Sequence, residues 1–130
     1  VRADATISIL VNEEDIRTLV VEVKSPTKTN EQDFLKLAIE MKIMLDSMIE
    51  RYICDPVVCD VLVQGFTVRI FKMDLEYDRV YRFIHIHTCY LPRSKDDMNV
   101  LQGTLETLFQ LKVSIFFLVR NISNRVIRSI

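Results

Sequence analysis

The chain has 130 residues, of which 49% are hydrophobic and 27% are charged, and its formal net charge is -1. This length and composition suit one folded domain and exclude an intrinsically disordered chain. Lysine and arginine number 17 against 18 aspartates and glutamates, so the basic balance typical of a dedicated nucleic-acid-binding protein is absent and any basic surface must be local.

Three cysteines, Cys54, Cys59 and Cys89, occur without a CxxC pair. An odd number without that spacing favours free thiols in a reducing compartment, and therefore an intracellular protein of the nucleus or the cytoplasm. No charged segment followed by an apolar core opens the chain, so a secretory signal is not predicted. The apolar run IFFLV near the end is too short to cross a bilayer, and we expect no membrane partner.

Two strands are predicted at the start of the chain. Residues 3–11 (ADATISILV) and 18–24 (TLVVEVK) are rich in β-branched residues and are separated by a polar turn at 12–15. So short a connection predicts an antiparallel hairpin. The second strand should end at Ser25, because Pro26 removes a ladder donor and restricts the residue before it.

A helix is predicted over residues 31–52, with Asn30 as its N-cap. Apolar residues recur there at steps of three and four, which indicates one buried face and makes the methionines core residues. That face consists of Phe34, Ala38, Met41, Leu45, Met48 and Tyr52. The pairs Lys36–Glu40 and Lys42–Asp46 have i,i+4 spacing and are predicted on the wetter sides of the helix.

Three further strands are predicted at residues 57–64, 67–74 and 80–90, the first two joined through Gly65. Ser94 is then predicted to cap a helix, with Asp97 at its third position, that ends near Lys112. The order β-β-α-β-β-β-α predicts an α/β (α+β) fold with a central mixed sheet flanked by helices. We expect one domain over residues 1–112. For the C-terminal tail, 113–130, the pattern leaves open a terminal strand, a terminal helix or translated intron sequence.

Asp4, Glu22 and Lys24 form the candidate site. Glu22 and Lys24 are two residues apart on one strand, so both side chains point to the same sheet face. The predicted hairpin sets residue 4 opposite approximately residue 23, within reach of that end. Carboxylate oxygens bind Mg²⁺ or Mn²⁺, and the Val23 carbonyl offers a further oxygen. The predicted metal ligands are therefore Asp4, Glu22 and Val23, while a lysine such as Lys24 can orient the attacking water.

The succession of RAD, a hairpin and VEVK before a helix resembles the PD-(D/E)XK nuclease superfamily, whose fold is restriction-endonuclease-like. The later part of this chain is similar to uncharacterised fungal proteins that carry this core. By position, Asp4 matches the family's first acid, Glu22 the second and Lys24 the lysine, and this resemblance implies that the three are catalytic. It also implies Mg²⁺- or Mn²⁺-dependent hydrolysis of phosphodiester bonds in nucleic acid, with DNA as the first expected partner. The family's preceding helix is missing here, so we expect the chain to be N-terminally incomplete.

Lys28, in the loop after the site, and Lys36, on the following helix, are the predicted contacts to substrate phosphate.

Two other functions remain open. One is a catalytically inactive binding or scaffold module with the same nuclease fold, and the other is an unrelated α+β interaction domain. The last predicts that the Asp4 and Glu22 carboxylates do not converge, whereas a shared ion requires a separation of about 4 to 6 Å. The residues His85, His87 and Cys89 are predicted to share one face of a strand and are a weaker zinc candidate; an ordinary strand face is the preferred interpretation.

Overall fold

A computed structural model of the chain describes residues 5–11, 13–25, 31–53, 55–77 and 79–128. The elements are β1 (Ala5–Val11), β2 (Glu14–Lys24), α1 (Glu31–Glu50), β3 (Val57–Gln64), β4 (Thr67–Tyr77), β5 (Val80–Tyr90), a short 3₁₀ helix (Lys95–Asp97) and α2 (Val100–Arg128). This order confirms the predicted succession of strands and helices.

One sheet with the strand order β1-β2-β3-β4-β5 forms the centre of the molecule. Its neighbours are antiparallel except β2 and β3, which run parallel. A parallel pair needs a long crossover connection, and α1 supplies it. The chain is therefore an α+β protein with a mixed sheet and two helices, as the sequence predicts.

Helix α1 packs its apolar face on one side of this sheet. Met41, Met44, Leu45 and Met48 are buried there, which confirms the prediction that the methionines belong to the core. The strand residues beneath them include Val20, Val58, Leu62, Phe71 and Met73. Tyr52 was wrongly predicted on this face: the helix ends at Glu50, and Tyr52 has a φ of 58° and is 92% exposed.

Helix α2 covers the opposite face of the sheet. Leu111 and Ile115 of α2 pack against a second apolar cluster that contains Leu19, Val61 and Ile70. The helix begins later than predicted, at Val100, and continues without a break to Arg128 rather than ending near residue 112. Among the described residues, neither helix has a stretch apolar and long enough to cross a bilayer.

The start of α2 differs from the prediction because a 3₁₀ turn intervenes. Ser94 precedes this turn rather than the α-helix and makes no side-chain capping hydrogen bond. Asp97 instead accepts a hydrogen bond from the backbone N–H of Arg93, at 3.3 Å.

A bulge in β5 separates the three residues of the zinc candidate. Ile70 pairs with His87 while the next residue, Phe71, pairs with His85, so Ile86 is an extra residue in β5. His85 contacts Phe71 on the α1 side, with ring centroids 5.2 Å apart, whereas Cys89 is buried in the cluster beneath α2. The expectation that these side chains share one face is therefore wrong, because a bulge shifts the alternation along the strand.

Candidate metal centre

Three carboxylates meet between α1 and the sheet. Glu22 of β2, Glu40 of α1 and Asp60 of β3 each direct a carboxylate oxygen into a space where these atoms lie within 4.8 Å of one another. We call these three residues the carboxylate cluster. Glu22 belongs to the predicted site, whereas Glu40 and Asp60 do not.

Strand alternation and the parallel β2–β3 register bring the two strand acids together. Val20 pairs with Asp60 and Glu22 pairs with Leu62, so Asp60 lies diagonally across from Glu22. Val20 and Leu62 both pack beneath α1, and residues two apart on a strand share a face. Glu22 and Asp60 therefore point toward the helix. Glu40 lies between core residues of α1, three positions after Leu37, and reaches the same space.

Asp60 is the most deeply buried member of the cluster. It is 0% exposed, and among the described residues neither of its carboxylate oxygens accepts a hydrogen bond. Two unit charges 4.8 Å apart repel by about 3 kcal/mol at an effective dielectric constant of about 20. Burial and the nearby Glu22 and Glu40 carboxylates raise the pKa of Asp60 to about 8, although Lys24 partly opposes this shift. Asp60 therefore holds a proton at neutral pH, and a cation between the three carboxylates would favour its charged form.

The predicted residues Glu22 and Lys24 lie on the same sheet face, toward α1, as their spacing predicts. Glu22 is buried at 5% exposure. Lys24 is part-buried, and its Nζ lies 3.9 Å from Asp33 Oδ1 in the first turns of α1. Lys24 therefore stands beside the carboxylate cluster rather than in open solvent.

The roles predicted for Asp4, Val23, Lys28 and Lys36 stay predictions. Asp4 and Lys28 lie outside the described residues, and so does the predicted convergence of Asp4 with Glu22. Val23 pairs with Val63, and its side chain is 60% exposed on the face opposite Glu22, while the predicted ligand is its backbone carbonyl. Lys36 is exposed on α1.

Sequence signals for Glu40 and Asp60 exist but are easily passed over. Asp60 is the one acid in the apolar strand VVCDVLVQ, and an acid within such a buried run is informative because aspartate is rarely fully buried without a partner. Glu40 was predicted on a wetter side of α1 as a partner of Lys36. In the structure Glu40 is half-buried, and its Oε1 is enclosed without a hydrogen-bond donor among the described residues.

The oxygen ligands that the carboxylate cluster offers suit a hard divalent cation. Carboxylate oxygens are the ligands that Mg²⁺ and Mn²⁺ prefer, and enclosed oxygens without hydrogen-bond donors are rare unless an ion or water satisfies them.

Thiol chemistry is disfavoured on the other sheet face, because burial raises the pKa of Cys59 to about 11 and keeps it a thiol.

Comparison of the chain with protein-family models, with curated proteins and with solved structures finds no match. The class defined by the fold is therefore the coarse one, an α+β protein with a mixed five-stranded sheet. Function must be inferred from the carboxylate cluster and its surroundings.

Proposed function

We propose that this protein is a metal-dependent nuclease-like domain that hydrolyses phosphodiester bonds of nucleic acid, with DNA as the first candidate substrate. The observation that carries the proposal is the fully buried Asp60. Its carboxylate oxygens have no hydrogen-bond donor among the described residues, and it lies within 4.8 Å of two further carboxylates. A strand lysine two residues from Glu22 accompanies this cluster, as the resemblance to the PD-(D/E)XK nucleases requires.

Each residue has a distinct role in this proposal. Glu22, Glu40 and Asp60 hold Mg²⁺ or Mn²⁺, whose positive charge offsets the repulsion between the carboxylates. The resemblance adds Asp4 as a fourth ligand. When bound, the cation neutralises charge on the phosphate and lowers the pKa of a bound water. Lys24 donates a hydrogen bond to the attacking water or to a phosphate oxygen.

Asp33 supports Lys24 before substrate arrives. The 3.9 Å separation between Lys24 Nζ and Asp33 Oδ1 is long for a charge-assisted hydrogen bond. A substrate phosphate can therefore compete for the ammonium group at little cost. The exposed Lys36, together with Lys28, is the proposed contact to more distant phosphates.

A catalytically inactive module that keeps the cation site is the second candidate. The burial of Asp60 at 0% and of Glu22 at 5% exposure favours it, because a phosphate must approach any cation held between them. This alternative predicts metal binding without cleavage. An unrelated α+β interaction domain predicts neither.

The deciding experiment measures metal binding and cleavage on the same preparations of the full chain. Mn²⁺ binding is followed by electron paramagnetic resonance, and cleavage of labelled DNA and RNA is followed in Mg²⁺ or Mn²⁺. The variants are Asp60→Asn and Lys24→Ala. Lys95→Ala, which changes an exposed lysine of the 3₁₀ helix, is the matched control.

The expected result is cleavage by the wild type and by Lys95→Ala, loss of both Mn²⁺ binding and cleavage in Asp60→Asn, and loss of cleavage alone in Lys24→Ala. Removing one transition-state donor typically lowers the rate by about 10²- to 10³-fold. Metal binding without cleavage in the wild type would establish the inactive module instead. A wild type that binds no Mn²⁺ would reject both.

A further inference from the structure

We propose that Arg69 forms a phosphate subsite beside the carboxylate cluster and binds a backbone phosphate of the nucleic-acid strand. This inference rests on the proposed function for the identity of the ligand.

The strand register aligns Arg69 with Glu22 across the sheet. Glu22 pairs with Leu62 on β3, and Leu62 pairs with Arg69 on β4. Arg69 also shares the α1 face, because Phe71, two residues further on β4, packs beneath α1 while Val68 and Ile70 face α2. With neighbouring strands about 4.8 Å apart, the Cα atoms of Glu22 and Arg69 are separated by about 10 Å.

The charge of Arg69 lacks a counter-ion in the described part of the chain. Its side-chain partner there is Gln64, whose Oε1 accepts a long hydrogen bond of 3.5 Å from the guanidinium. By contrast, Lys72 of β4 and Arg82 of β5 both form ion pairs with Asp74, which is on β4 like Arg69. A half-buried guanidinium without a carboxylate keeps most of its five donors available for an external anion.

Gln64 connects this arginine to the proposed catalytic lysine. Gln64 is the register partner of Lys24 in the parallel β2–β3 pair. The Arg69 guanidinium donates its hydrogen bond to the side chain of Gln64. Lys24, Gln64 and Arg69 therefore form a polar strip across three strands, next to the buried carboxylate cluster. Apolar residues beneath α1 occupy the same face further along the strands.

A nucleic-acid strand suits this strip in both spacing and chemistry. Phosphates of one strand advance by about 3.4 Å per nucleotide along a duplex axis and by more in an extended strand, so about 10 Å is spanned by at most about three nucleotides. The planar guanidinium binds phosphate oxygens through two parallel hydrogen bonds, which a lysine ammonium cannot reproduce. Arg69 would thus fix the direction in which the strand crosses the sheet.

The test is the affinity for a fluorescein-labelled single-stranded DNA oligonucleotide, measured by anisotropy in Ca²⁺ over a range of salt concentrations. Arg69→Ala should raise the Kd about five- to tenfold and reduce the salt slope by about 0.7, the loss expected for one phosphate contact. Arg69→Lys should recover part of the affinity. Arg17→Ala, which removes an exposed arginine from the far end of β2, should bind as the wild type does, and thermal melting of each variant reports that the fold is retained.

The outcomes separate this inference from the proposed function. If the wild type cleaves DNA and Arg69→Ala binds and cleaves with unchanged Kd and KM, the subsite is rejected and the nuclease proposal stands. If the wild type binds DNA through Arg69 but neither binds Mn²⁺ nor cleaves, the subsite stands and the nuclease proposal fails. A wild type without affinity for the oligonucleotide overturns the subsite.

Discussion

Replacing Asp60 with asparagine separates the cost of burying its charge from the benefit of binding a cation. The ordinary pKa of 3.8 and the value of about 8 in the folded chain differ by about four units. At about 1.4 kcal/mol per unit, this difference corresponds to about 6 kcal/mol. It is comparable to the whole stability of a small domain, which is about 5 to 15 kcal/mol.

Proton uptake by Asp60 sets the direction in which the free energy of unfolding changes with pH. Between pH 4 and pH 8 the folded chain holds a proton on Asp60 that the unfolded chain has lost. The free energy of unfolding must therefore fall as pH rises through this window, by up to about 1.4 kcal/mol per unit. The contribution is fully present below about pH 4 and is lost above about pH 8. Asp60→Asn removes the titrating group and should remove this slope.

The assay is urea denaturation in EDTA at pH 5 and pH 8. We expect the wild type to lose about 4 kcal/mol more than Asp60→Asn between these two values. Asp96→Asn changes an exposed aspartate of the 3₁₀ helix and should follow the wild type. Equal pH dependence in the wild type and Asp60→Asn would refute the raised pKa of Asp60 in the folded chain.

Adding Mg²⁺ at pH 8 should stabilise the wild type but not Asp60→Asn. A cation at about 100 times its Kd stabilises the folded state by about 2.7 kcal/mol, and this gain requires Asp60. The wild type should therefore melt at higher temperature in Mg²⁺, whereas Asp60→Asn should not. Equal stabilisation of both proteins would show that the cation binds elsewhere.

Three other predictions follow from the same structure. Mg²⁺ affinity, measured by calorimetry, should rise up to about tenfold per pH unit below pH 8 and then level off, because a bound cation displaces the Asp60 proton; a flat profile would contradict this. Met44→Ala should lower the free energy of unfolding by about 3 kcal/mol, since Met44 is 2% exposed, while Leu35→Ala at a 61% exposed position should change it by less than about 0.5 kcal/mol. Tyr81→Phe removes the hydroxyl that donates a hydrogen bond to Asp46 and should cost about 1 kcal/mol at pH 7. Burial raises the pKa of Asp46, but hydrogen bonds from Tyr81 and Lys42 lower it on balance. The loss of stability in Tyr81→Phe should therefore shrink as pH falls below about 4. A loss that stays constant with pH would argue against this hydrogen bond.

Local sequence patterns determined the element order and the side of the sheet on which single residues lie. Residue periodicity predicts the strands, α1 and its buried methionines because each signal is contained within a few neighbouring residues. The same alternation sets Glu22 and Lys24 on one face whatever the partners of their strand are. Element ends were less accurate, as Tyr52 and the beginning and end of α2 illustrate, since helix ends depend on competing turns and on packing.

Only the tertiary structure decided which acids meet Glu22. Asp60 is 38 positions away in the chain, and its approach depends on the parallel pairing of β2 with β3, for which no local pattern exists. Glu40 joins them because α1 crosses the sheet with that side toward Glu22, and the bulge at Ile86 separates His85 from Cys89 in a way that alternation alone does not foresee. Sequence spacing thus specifies one strand of the candidate site, while long-range strand pairing and helix packing assemble the three carboxylates.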